Sequence, residues 1–263
     1  MLALLLGAGL ACATPAQEPT HGPSATQPSR GHFFLKSRVQ WDTWDEPGAD
    51  GGAISLIGSA IAGITPTVSL GAEWAWQQRE RSLGGGEGMR DPRLWAAWRF
   101  FQRDHDVLDT TRASLIAGTE VPAGSEALGR DEVAPFAGFA LTDIRGRRGF
   151  GLNALWQFHD EAKPMPLMAG DLAADHLRLN GSWLWRIAPA EFGARHEAAH
   201  YIQLEALYDY ETDGGSELRL APGWLLEAPL WACELSLELP VADDLDARPA
   251  RSISIIFGLR FLL

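Results

Sequence analysis

The sequence predicts an all-β fold, a transmembrane antiparallel up-and-down β-barrel of about twelve strands. Three features predict it. From residue 32 onward, stretches of about ten residues alternate between apolar and polar side chains and then break. Tryptophans gather near the ends of these stretches, at Trp41 and Trp44, Trp74 and Trp76, Trp183 and Trp185, and Trp224 and Trp231, as an interfacial girdle requires. The polar parity carries the charges, and a charge on the lipid face at mid-membrane costs about 2–4 kcal/mol, so this segregation fits lipid on the opposite parity. The rival is a soluble sandwich or lipocalin-like barrel, whose strands average only about five or six residues.

The N-terminus reads as an export signal. Leu2 to Leu10 is a short apolar run, and Ala11-Cys12-Ala13 fits a small-residue cleavage pattern. Residues 1–13 are therefore expected to be a signal peptide, with Thr14 opening the mature chain. Gly9-Leu10-Ala11-Cys12 leaves open a lipoprotein box with Cys12 lipidated. Residues 14–31, rich in Pro, Ser, Thr and Gln, read as a flexible periplasmic leader, and residues 32–263 as the barrel. With the signal removed, Cys233 is the single cysteine and no internal disulfide can form.

Along the barrel, Leu35, Val39 and Trp41 oppose Lys36, Arg38 and Gln40. Residues 53–64 are apolar on both parities, so a short helix rivals a strand there; the Thr65-Pro66 break and the clean alternation after it favour the strand. Val68, Leu70, Trp74 and Trp76 then oppose Ser69, Glu73 and Gln77, and Leu94, Ala96, Trp98 and Phe100 oppose Arg93 and Arg99. Ala113, Leu115 and Ala117 oppose Arg112, Ser114 and Glu120, whereas residues 134–144 alternate poorly. Phe150, Leu152 and Trp156 oppose Gly151, Asn153 and Gln157; Leu177, Leu179 and Trp183 oppose His176, Arg178, Asn180 and Arg186. In the last third, Ile202, Leu204 and Tyr208 oppose Gln203, Glu205 and Asp209, and Leu218, Leu220 and Trp224 oppose Glu217 and Arg219. Trp231, Leu235 and Leu237 oppose Glu234, Ser236 and Glu238, and Ile253, Ile255, Phe257 and Phe261 oppose Ser254 and Arg260, with Ile256 as an exception. Breaks near 65–66, 145–148 and 227–229 are short, and those near 45–52, 79–91, 122–132, 160–172 and 240–250 are long; those at 104–110 and 187–198 are longer than a tight turn, and 211–215 is short for its side. Outer-membrane barrels show this asymmetry, and an even strand count puts both termini in the periplasm.

Composition narrows the function classes. Hydrophobic residues make up 46% of the chain and mean hydropathy is −0.09, which excludes a bundle of membrane helices. A formal charge of −12 argues against nucleic acid as a partner. The expected partners are outer-membrane lipid and lipopolysaccharide of a Gram-negative bacterium, the barrel-assembly machinery, and a small-molecule solute. The acidic stretches Asp45, Glu46 and Asp50, and Asp243, Asp244 and Asp246, offer weak sites for divalent cations bridging to lipopolysaccharide phosphates, or are simply solvated loop charge.

The stretch Tyr201-Ile-Gln-Leu-Glu-Ala-Leu-Tyr-Asp-Tyr210, followed by Asp213-Gly-Gly215 and Leu220-Ala-Pro-Gly-Trp224, resembles a family of outer-membrane proteins assigned to meta-pathway phenol degradation and often called simply transporters. Leu235 to Val241, Phe257 to Phe261, Asp91 to Phe100 and Gly118 to Gly124 continue the resemblance over roughly residues 60–263. It implies an outer-membrane barrel and uptake of hydrophobic or aromatic compounds, and it supplies no catalytic residue and no cofactor. The chain departs from the usual terminal Phe by ending Phe261-Leu262-Leu263, which bears on recognition by the assembly machinery.

The first candidate site is the lumen, lined on this parity by Lys36, Arg38, Glu73, Arg93, Arg99, Arg112, Glu120, Arg178, Glu205, Glu217, Arg219, Glu234, Glu238 and Arg260. Eight-stranded barrels are filled by side chains and sixteen-stranded ones hold water, so a barrel of about twelve strands is either a narrow polar pore or a salt-bridged plug. The second candidate is the loop in which Met165 and Met168 lie between His159 and His176, soft thioethers and imidazoles suited to copper; an ordinary polar loop explains it equally. An enzyme is not expected. A lipid-facing Ser–His pair like that of outer-membrane phospholipase A needs a serine partner that His159, His176 and His200 lack in the sequence pattern.

Overall fold

The computed structural model describes residues 19–46, 49–80, 85–106, 109–130, 132–159, 174–192, 198–212, 215–245 and 250–263. Thirteen antiparallel strands follow one another: β1 (Phe33–Glu46), β2 (Ala49–Gly63), β3 (Val68–Glu80), β4 (Gly86–Met89), β5 (Arg93–Asp104), β6 (Thr110–Glu120), β7 (Ala134–Arg145), β8 (Arg148–Gln157), β9 (His176–Ala188), β10 (Ala199–Glu211), β11 (Ser216–Glu227), β12 (Trp231–Asp244) and β13 (Arg251–Leu262). Consecutive strands pair, except that β3 pairs with both β4 and β5, which do not pair with each other; β1 also pairs with β13, Phe34 opposite Leu262 and Asp42 opposite Ser254. That pairing closes a twelve-stranded transmembrane barrel, with one extra short strand paired on β3 alone.

The extra strand is a broken half of its successor. Against β3, Glu73 pairs with Arg93 of β5 and Trp76 with Met89 of β4, so the register slips by a single residue across the gap. Pro92 lies in the gap and has no N–H to give to the ladder. Arg90 N still donates to Ala75 O at 2.8 Å. The break expected at 79–91 is thus partly strand. The one expected at 45–52 shrinks to two residues, because Asp45 pairs with Asp50 and Glu46 with Ala49. Of residues 53–64, all but Ile64 lie in strand β2, and none is helical.

Inside and outside follow the parity. Leu35, Trp41, Leu70, Trp74, Trp98, Trp183, Leu235, Ile255 and Phe257 face outward and are exposed, whereas Glu205, Glu217, Glu234, Glu238, Ser254 and Arg260 are buried in the interior. Exposed hydrocarbon around the whole wall, with carboxylates and guanidinium groups sealed within, is the reverse of a soluble barrel. Trp44 departs from the expected girdle. A bulge between Thr43 and Trp44 accompanies an inward-facing indole that lies against Gly51 and under the Arg79 guanidinium, 5.7 Å from the ring centre.

Residues 134–145 alternate poorly because both of their faces meet apolar surroundings. Phe139 faces outward, while Phe136 and Ala140 face inward and join Ala97, Ile116 and Leu155 in an internal apolar cluster. The parity rule fails in this sector for a packing reason: Ala25, from the N-terminal segment, covers part of that cluster.

Candidate functional site

The lumen is built from the inward residues of all the strands, plus one element that carries no periodic signal. The leader reading of residues 14–31 does not hold over residues 19–28. Instead of hanging free, this segment runs into the barrel, and Thr20, Ser24, Ala25, Thr26 and Gln27 are buried there. It enters beside the strand ends on the turn side, where Gly31 N donates to Gly63 O at 2.9 Å and Gly31 takes a positive φ of 81°. Gln27 Nε2 donates to Ser114 Oγ at 3.3 Å, and Ala25 N to Thr142 Oγ1 at 3.2 Å. The chain then reaches the far wall. Thr20 N donates to Glu205 Oε1 at 2.6 Å, Thr20 Oγ1 to Glu234 Oε2 at 2.9 Å, and Arg38 Nη1 to Thr20 O at 2.8 Å.

His21 sits at the end of this crossing. Its Nδ1 lies 3.1 Å from Glu205 Oε2, and its Nε2 lies 2.9 Å from Glu238 Oε1, at ion-pair distance but off the line of a good hydrogen bond. Burial works against the imidazolium, but Glu205 and Glu238 outweigh it, and the His21 pKa is pushed up to about 9.

The fourteen expected lumen residues divide into three groups. Glu205, Glu217, Arg219, Glu234, Glu238 and Arg260 are buried in one ionic network on β10 to β13. Arg260 pairs with Glu234, and Arg219 pairs with Glu238, Asp209 and Glu217. Lys36, Arg38, Glu73, Arg93, Glu120 and Arg178 are partly accessible and line an internal cavity of about 370 Å³, as Glu217, Arg219 and Glu238 also do. Here Arg38 pairs with Glu73 at 3.0 Å, Arg93 with Glu120 at 3.1 Å, and Arg178 with Asp209 at 3.1 Å. Arg99 and Arg112 lie on the inward parity of β5 and β6 outside that cavity, and Arg99 donates to Pro66 O at the β2–β3 turn.

The cavity runs alongside the N-terminal segment. Its lining includes Arg90, Arg130 and Ala174 at the loop end, and Lys36 and Ile61 near the turn-end termini of β1 and β2. Several of its lining residues are apolar and inward-facing, among them Trp95, Ala97, Ile116, Phe136 and Leu155. The alternation reading missed these, because it looked for polar residues on that parity. Of these only Phe136 left a trace in the sequence, the weak alternation of residues 134–144.

The two loop histidines sit at the rim and are each held by a carboxylate. His159 Nδ1 lies 2.8 Å from Glu132 Oε1, and His176 Nε2 lies 3.0 Å from Asp209 Oδ1. Burial and the nearby Arg130 charge push the His159 pKa down in spite of Glu132. Met165 and Met168 lie outside the described residues. Among the described residues no group of three or more His, Cys, Asp or Glu could hold a metal ion.

A closed wall with an oily exterior and an ionic interior defines a transmembrane β-barrel of the outer-membrane type. A solved structure shares that architecture. An outer membrane channel from Pseudomonas putida F1 matches with a TM-score of 0.60 at 14% identity, over 94% of this chain and 100% of that one. The β domain of the Bordetella autotransporter BrkA (TM-score 0.49, 15% identity, 89% and 100% covered) and the KdgM porin in complex with oligogalacturonate (0.47, 11%, 87% and 98%) are more distant. No family model matches the chain, and no curated protein matches it.

Proposed function

We propose that this chain is a passive channel in the outer membrane of a Gram-negative bacterium, admitting small solutes that include hydrophobic or aromatic ones. The observation that carries this reading is the elongated cavity beside residues 20–27, which extends from the loop end of the barrel toward the turn-side ends of β1 and β2. A barrel that served only as a scaffold has no need of it. The apolar sector around Trp95 and Phe136 supports passage of apolar bodies, since a wholly ionic lumen disfavours them.

One observation favours the alternative, a non-conducting barrel: the N-terminal segment crosses the lumen and is tied to both sides of it. Planar-bilayer conductance and liposome swelling with the purified full chain separate the two. A channel passes ions and small solutes, and deletion of residues 19–28 raises its conductance severalfold. A barrel that passes neither, before and after that deletion, overturns the channel reading.

A further inference from the structure

The cavity has two chemically different sides that meet near the loop end. On one side Trp95, Phe136 and Leu155 form an apolar wall. The Trp95 indole lies over Gly71, where a Cβ would stand 2.2 Å from the ring, so glycine there makes room for it. On the other side stands Arg178, paired across β8–β9 with Leu155 and therefore directly beside that wall.

The two nearest arginines are held differently. Arg93 lies over the Phe136 ring at 4.6 Å, donates to Gln157 Oε1 at 3.2 Å and pairs with Glu120. Arg178 gives only its Nε to Asp209, a carboxylate shared with Arg219 and His176. Its terminal nitrogens have no partner among the described residues, and its side chain is 39% exposed within the lumen. Arg93 and Arg178 line the same cavity, and Arg93 reaches Gln157, two residues along β8 from the Leu155 that stands opposite Arg178, so two like charges repel across one stretch of wall. An anion placed between them relieves that repulsion, and a guanidinium fork suits a planar carboxylate.

We propose that this part of the cavity binds a small organic carboxylate with an apolar body, the ring or chain against Trp95, Phe136 and Leu155 and the carboxylate on Arg178 and Arg93. The cavity volume of about 370 Å³ lies in the range of small-molecule sites, roughly 300–1,000 Å³. The proposal rests on the channel reading and names its class of solute.

The test is calorimetric titration of the full chain in detergent with benzoate, benzyl alcohol and acetate. Benzoate is expected to bind saturably, and the uncharged ring and the bare carboxylate at least about tenfold more weakly, since each lacks one half of the interaction. Arg178→Gln is expected to weaken benzoate about tenfold or more, and Arg178→Lys to fall between, because it keeps the charge and loses the fork. Absence of benzoate binding, equal binding of acetate or benzyl alcohol, or an Arg178→Gln protein that folds and binds like wild type each overturns the proposal. If Arg178→Gln does not fold, the Arg178→Lys protein and the three-ligand comparison decide. Conductance in potassium chloride on the same preparation separates the two readings. A barrel that conducts without binding benzoate loses this site alone, and one that binds benzoate without conducting loses the channel.

Discussion

The His21 imidazole lies 3.1 Å from Glu205 Oε2 in the barrel interior, joining the N-terminal segment to a strand 184 residues further along the chain. Thr20 N and Asn180 Nδ2 hydrogen-bond the same carboxylate, at 2.6 Å and 3.0 Å. The segment is therefore seated by a charge that the wall supplies.

That contact makes seating depend on pH. The docked His21 holds its proton up to about pH 9, while in a released segment it reverts toward 6.5. A raised pKa adds stability that is complete below the released value and is lost as pH rises through the docked one, here between about 6.5 and 9. Bilayer conductance of the wild type is expected to rise between pH 7 and pH 10. His21→Gln is expected to conduct more at pH 7 and to vary less over the range. A flat wild-type profile would exclude the latch.

The buried Arg260–Glu234 pair gives a stability prediction. The two side chains are 2% and 1% exposed, and Glu234 also accepts from Thr20 Oγ1. Arg260→Met strands a carboxylate in the interior and is expected to cost about 3–5 kcal/mol. Arg260→Met with Glu234→Gln is expected to recover most of that loss. Denaturant unfolding in lipid bilayers, arranged as a double-mutant cycle, measures it; additive single losses would show that the pair acts independently.

Leu235 and its neighbour Ser236 test the orientation of the wall. Leu235 faces outward and is 48% exposed, while Ser236 faces inward and is 1% exposed. Leu235→Arg is expected to destabilise the folded barrel by about 2–4 kcal/mol in a bilayer, the cost of a cation against lipid. Leu235→Ala is the size control. If arginine there is tolerated like alanine, that face does not meet acyl chains.

The copper reading of the loop makes its own prediction. Titration with Cu(I) under reducing conditions is expected to show binding that is lost when His159→Ala and Met165→Ala are combined. Equal binding by wild type and double variant removes the proposal for His159, Met165, Met168 and His176.

How much of this was legible beforehand depends on the scale of the signal. Alternation along each strand is local, because successive side chains must point to opposite faces. It was therefore enough to place Leu235 and Phe257 outside and Glu205 and Arg260 inside. Strand ends were read less well. Asp45 and Asp50 look like loop residues by composition yet pair in a two-residue hairpin, and Pro92 divides one strand into two.

The sequence by itself determined the wall: its class, its approximate strand count, and which face of each strand is oily. Only the tertiary structure decided what fills the enclosure. Residues 19–28 have no period to read, and their partners Ser114, Thr142 and Glu205 lie on separate strands that come together only when the barrel closes. The inward apolar wall of Trp95, Phe136 and Leu155 was hidden for the same reason. An inward residue is polar or apolar according to what stands across the lumen, and that neighbour is distant in sequence.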